Sequence, residues 1–213
     1  MKRLCLLLGL ACLAVIWLGP LLTAWRGSFA AHMLAHMGVV AVAAPLIGIG
    51  LSDWWRIRGA RPAIIALPMG ASIIELIVVW VWHAPLLRTL AETSPLATAV
   101  EQASFLVAGL FLWGACIGSM RPGQLAVSAA GILGLLLTSI HMTLLGALLA
   151  LSPRPLYGAE SVTCFGLVLD AGQDQALGGV LMLLVGGAVY LVGGLFLLAK
   201  VLADPISAER VAR

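Results

Sequence analysis

The stretch "AHMLAHMGVV", residues 31–40, carries two histidines and two methionines in what reads as the first turns of an apolar helix. His32 and His36 are four residues apart, so a helix puts both imidazoles on one face, with Met33 and Met37 as a second pair beside them. His83 in "WVWHAPLL" and His141 in "LLLTSIHMTLLGALL" complete the set of four histidines. Imidazole with thioether at hand suits copper, Cu(I) above all, while carboxylate with imidazole also admits zinc or iron. Glu75 and Glu101 supply carboxylates inside apolar runs. A carboxylate that orients a histidine is the usual support of a metal ligand.

Each residue also has a plainer reading. An HxxxH pair close to a membrane surface is satisfied by water or headgroups, methionines fill irregular cores, and His83 before "AP" ends a helix. His141 resists such a reading, because it has no interface to reach and a core imidazole needs a hydrogen-bond partner. Cysteine contributes little: Cys5, Cys12, Cys116 and Cys164 show no CxxC spacing. The chain contains no GxSxG, P-loop, HExxH or glycine-rich dinucleotide fingerprint. No basic patch with interleaved aromatics points to nucleic acid. The expectation is a protein that is not an enzyme.

The elements that must position these residues follow from composition. Of 213 residues, 62% are hydrophobic and 10% charged, against about a quarter charged in a soluble domain. Lipid must therefore be the solvent. Apolar runs near the bilayer-spanning length of about 20 residues lie at 4–22, 29–51, 62–82, 96–119, 123–150 and 176–202. None alternates with the period of a barrel strand, which leaves helices as the spanning structure. The expected fold is all-α, a single domain over residues 1–213 built as a bundle of six transmembrane helices.

With the N-terminus inside, the cytoplasmic segments hold nine basic residues (Lys2, Arg3, Arg56, Arg58, Arg61, Arg121, Lys200, Arg210, Arg213) against Arg26, Arg88 and Arg154 outside. That bias puts both termini in the cytoplasm. The opening "MKRLCLLLGLACLAVIWLGPLLTA" also has the parts of a signal peptide, but its apolar stretch is longer than most, and an uncleaved helix is expected. Paired glycines at 178–179, 186–187 and 193–194 form a stripe that lets the last helix approach its neighbours closely. Trp25, Trp80 and Trp82 outside, with Trp54 and Trp55 inside, read as an aromatic belt.

These directions place all four histidines in the outer half, His32 and His36 at depths of about 5 and 10 Å. Glu75, Glu92, Glu101, Glu160, Asp170 and Asp174 share that half or its loops, the last two just before the final helix. An ionisable group at mid-helix costs about 2.5–3.5 kcal/mol on insertion scales and faces the bundle interior. The expectation is a periplasm-facing polar pocket between helices two and five.

The strings "HMLAHMGVVAVAAPLIGIG", "WHAPLLRTLAETSP", "VEQASFLVAGLFLWG", "HMTLLGALLALSPRPLYG" and "DQALGGVLMLLVGGAVYLVGGL" resemble, in order, the CtaG family. These are multi-spanning assembly factors for caa3-type cytochrome c oxidase, distinct from the single-span copper chaperone that shares the name. The resemblance implies a role in maturing a haem–copper oxidase by supplying copper, in a bacterial cytoplasmic membrane. It implies a cytochrome c oxidase subunit or a copper donor protein as partner, besides the lipid bilayer. Its matching positions are His32, His36, His83, Glu101, His141, Asp174 and Gln175. One departure is Gln102, where relatives often have histidine after the Glu.

On this reading His36, His141 and either His32 or His83 hold Cu(I), with Met33 or Met142 as substitute thioether ligands. Glu101 and Glu75 orient the histidines or offset the ion's charge, and Asp174 guides cations at the entrance. Three alternatives stay open. One is a cytochrome with haem between His36 and His141. Another is a cation or proton pathway, and the third a scaffold that binds an oxidase subunit.

Overall fold

The computed structural model describes residues 1–54, 62–120, 124–158, 161–164 and 166–203. Trp55, Arg56, Arg58, Arg61, Arg121, Glu160, Arg210 and Arg213 lie outside the described residues. The helices are α1 (Lys2–Leu18), α2 (Phe29–Met37), α3 (Ala44–Gly50), α4 (Pro62–Trp82), α5 (Pro85–Thr93), α6 (Pro95–Gly118), α7 (Leu125–Ala150), α8 (Ala171–Leu181) and α9 (Gly187–Leu202). Five continuous helical segments are long and apolar enough to cross a membrane: Lys2–Leu22, Phe29–Gly50, Pro95–Gly118, Leu125–Ala150 and Ala171–Leu202. A sixth is made if α4 and α5, bent by 72° at their junction, count as one span.

Proline and capping residues decide where these helices begin. Ser28 caps α2 by accepting from Ala31 N at 3.2 Å, and Ser94 caps α6 from Ala97 N at 3.4 Å. Pro85 and Pro95 stand at the first helical positions, where a missing N–H costs nothing. Ala84, before Pro85, is pushed to an extended ψ of 132°, so the chain turns sharply there and α5 breaks from α4. The last span starts at Ala171, five residues before the run read from hydropathy, because Asp170 and Gln173 form a reciprocal capping box. Asp174 and Gln175 are therefore helical residues. Hydropathy misses this turn because its residues are polar.

Helix α7 is the hub and packs on α4, α6, α8 and α9, while α1 lies against α3 with most of its surface turned outward. The glycine stripe does what its spacing suggests: a Cβ at Gly146 of α7 would sit 2.7 Å from Leu183 N of the last span. Two helices contain π-helical stretches, Gly38–Ala43 between α2 and α3, and Met182–Gly186 between α8 and α9. Such a stretch frees backbone carbonyls for other donors. The carbonyl of Val40 accepts from Trp113 Nε1 at 3.0 Å.

The two faces of the bundle differ. On one, Lys2 pairs with Asp53 at 2.6 Å, and both line a cavity of about 990 Å³ together with Lys200 and Trp113. The start of α1 and the end of α9 thus share a face. The opposite face carries α5 and a short antiparallel hairpin, β1 (Val162–Cys164) and β2 (Leu167–Leu169). The apolar segment "SVTCFGLVL" supplies this hairpin, with Gly166 at φ +81° in its turn. Cys164 is a buried free thiol packed near Ala30 and Ala31.

Candidate functional site

Beneath the hairpin face, α2, α4, α6 and α7 bring the predicted histidines together. His32 and His36 come from α2, His83 from the residue after α4, and His141 from α7. All four are at most 5% exposed. Ring centroids are 5.5 Å apart for His36 and His83, 6.0 Å for His32 and His83, and 6.5 Å for His32 and His36. Phe105 of α6 packs on His36 with a centroid distance of 4.0 Å. Glu101, one turn above Phe105, is fully buried and places Oε2 3.6 Å from His32 Nδ1.

The protonation of one ring can be read directly. His83 Nδ1 lies 2.6 Å from Val79 O. A carbonyl only accepts, so Nδ1 carries the proton and Nε2 is left with its lone pair. That Nε2 is buried with no hydrogen-bond partner among the described residues. A metal-ligating histidine is usually arranged this way, with one nitrogen donating to a carbonyl and the other bare. His83 is further held by Tyr157, whose hydroxyl donates to His83 O at 2.6 Å and whose ring stacks on Phe29 at 4.3 Å. Burial pushes the Tyr157 phenol up to about 12, so it stays a donor at neutral pH.

Other polar atoms in the cluster are also bare among the described residues. They include His32 Nε2, both nitrogens of His36 and of His141, and both side-chain polar atoms of Gln102. Buried polar groups are nearly always paired, so a concentration of exceptions marks a place where something else is bound. Three imidazoles around one ion at about 2 Å would have centroids about 5.5 Å apart, close to the observed spacing. Among the described residues, however, no three His, Cys, Asp or Glu side chains form a ready-made metal site. The cluster assembles the donors without closing them on a point.

The cluster is roofed rather than open, unlike the pocket expected from sequence. Arg88 of α5 is 4% exposed and stands in the roof. It lines one narrow cleft with His32, Glu101, Arg26 and Thr98, and another with Phe29, Glu92, Tyr157 and Asp174. Each cleft holds about 10 Å³, room for about one water-sized sphere.

Three predicted residues have other partners. Glu75 Oε1 accepts from Tyr190 OH at 2.6 Å, and Oε2 has no partner among the described residues. Asp174 accepts from Ser28 Oγ at 2.7 Å, from Ala30 N at 3.1 Å and from Phe29 N, so it clips α8 to the N-terminus of α2. Gln175 accepts from Leu156 N at 2.6 Å and donates to Leu149 O at 3.1 Å, fixing the loop after α7. Met33 is fully buried against Gly178 of α8, and Met142 lies against Gly186.

The family model for the cytochrome c oxidase caa3 assembly factor (Caa3_CtaG) matches residues 1–204. The chain belongs to that family. No curated protein and no solved structure matches it.

In this assembly factor, four residues around the histidines carry no sequence signal of their own kind. Phe105 and Tyr157 read as ordinary apolar and loop positions. Tyr190 and Trp113, stacked at 5.4 Å beside Glu75, read as residues of apolar helices. Arg88 had the one usable signal, a cation at i+5 from His83 in a nine-residue helix with Pro at its start.

Proposed function

We propose that this oxidase assembly factor handles copper, as Cu(I), at the histidine cluster and delivers it to an oxidase subunit, without catalysing a reaction. His32, His36, His83 and His141 are the candidate ligands, Glu101 offsets the ion's charge, and Met33 or Met142 is the thioether reserve. The chain would cross the bacterial cytoplasmic membrane six times, with its termini in the cytoplasm and the cluster under the periplasmic surface. The arginine and lysine bias along the sequence supports that orientation.

The observation that carries this reading is His83. Its Nδ1–H is committed to Val79 O while its bare Nε2 is buried beside two more imidazoles. Neutral imidazole with thioether and few carboxylates favours a soft monovalent ion. The narrow cleft above His32, and Phe105 packed on His36, favour an ion over a porphyrin between His36 and His141.

The test is metal analysis and an absorption spectrum on the detergent-purified chain, loaded with copper under reducing conditions. About one copper per chain without a Soret band, lost in the His36→Ala, His83→Ala double variant, is expected. A Soret band near one haem per chain would replace the copper reading with the cytochrome one.

A further inference from the structure

The roof of the cluster raises an electrostatic question. Arg88 is a permanent cation, 4% exposed, lining the same cleft as His32 and Glu101. Its guanidinium acts electrostatically on His32, His83 and Glu101. A fixed positive charge beside a site for a cation should weaken that site, and a simple receptor would not keep one there.

Its hydrogen bonding does not explain it. Arg88 Nη2 makes one long contact, 3.4 Å to Arg26 O, and Nε has no partner among the described residues. The nearby acids are not equivalent. Asp174 is committed to the N-terminus of α2 by three hydrogen bonds, and Glu92 lines only the cleft toward the surface. Glu101, fully buried with neither oxygen hydrogen-bonded among the described residues, is the carboxylate that faces the histidines. Arg88 and Glu101 therefore cancel, and neutral imidazoles leave the empty site at zero net charge.

We infer that Arg88 is a selectivity residue, which sets the cluster's charge so that it accepts a monovalent cation and rejects divalent ones. This rests on the copper reading above and specifies which ions that site takes. The physical reason is that the cost of charge in a low-dielectric interior grows with the square of the net charge. A monovalent ion brings the site to +1 and a divalent ion to +2, about four times the cost. Without Arg88 the empty site would be −1, and the divalent complex would stand only at +1. The direct Coulomb repulsion adds to this in proportion to the ion's charge.

The experiment measures Ag(I), a redox-inert stand-in for Cu(I), and Zn(II) binding to the detergent-purified full chain. Arg88→Met is expected to tighten Ag(I) about tenfold and Zn(II) about a hundredfold, because the Coulomb term doubles with charge. The affinity ratio thus moves about tenfold toward zinc. Arg88→Lys keeps the charge and should leave the ratio near wild type, which separates charge from packing. Arg88→Met with Glu101→Gln removes both charges and should restore the wild-type ratio even if each single variant is poorly folded. Wild-type Ag(I) binding with an unchanged ratio in Arg88→Met, or an equal shift in Arg88→Lys, overturns this inference alone. Absence of both Ag(I) and Cu(I) binding in the wild type overturns the copper reading and this inference together.

Discussion

The imidazole of His83 shows how a single hydrogen bond assigns a role. With Nδ1–H given to Val79 O at 2.6 Å, the free lone pair must point from Nε2, and replacing the ring removes both the ligand and the support of the junction after α4. His83→Gln should lower Cu(I) affinity at least tenfold, measured by competition with a colorimetric chelator, while the chain stays folded; unchanged affinity would remove His83 from the site. Glu75 makes a different case. Its bond from Tyr190 at 2.6 Å belongs to a network on Val40 and Trp113 below the histidines. Tyr190→Phe leaves that carboxyl without its donor and should destabilise the bundle by about 1–3 kcal/mol, read from denaturation in detergent. Metal content should hardly move. The histidines, Glu75 and Glu101 were legible in sequence because ionisable groups in apolar runs stand out. Their pairing was not, since it depends on which way two neighbouring helices turn.

Elements account for how the cluster is held. The polar turn Asp170–Gln173 starts α8 early, and that shift lets Asp174 reach the first backbone N–H groups of α2, the segment that carries His32 and His36. Asp174→Ala should cost about 0.5–2 kcal/mol, the usual worth of a helix cap. It should also weaken metal binding, because the N-terminal turn of α2 loses its anchor. Calorimetry with and without Ag(I) separates the two effects, and a variant with full stability and full binding would show the clip to be dispensable. The bent α4–α5 unit was visible as "HAP" but not as a roof. The Pro85 break is local chemistry, whereas the direction α5 takes afterwards is set by tertiary contacts. The two π-helical stretches had no sequence signal, since one extra residue per turn leaves hydropathy unchanged.

At the scale of the whole molecule, hydropathy and glycine spacing made the bundle legible, with five spans or six depending on how α4 and α5 are counted. Close packing of the last span on α7 rests on Gly146, so Gly146→Val should force a side chain toward Leu183 N. The expected loss is about 1–3 kcal/mol, read from thermal unfolding in detergent; wild-type stability would mean that the contact relaxes freely. The face with Lys2, Asp53 and Lys200 and the face with Tyr157 and the hairpin lie at opposite ends. Cysteine labelling in intact cells should find position 154 accessible from outside and position 200 protected; the reverse would invert the orientation proposed above.

The central claim is that the buried imidazoles bind copper. The most direct measurement is copper X-ray absorption on the purified, Cu(I)-loaded chain. The account predicts a Cu(I) edge with imidazole nitrogen scattering at about 2 Å, lost when His36 and His83 are both replaced by Ala. Copper that stays bound with the same spectrum in that double variant would contradict it.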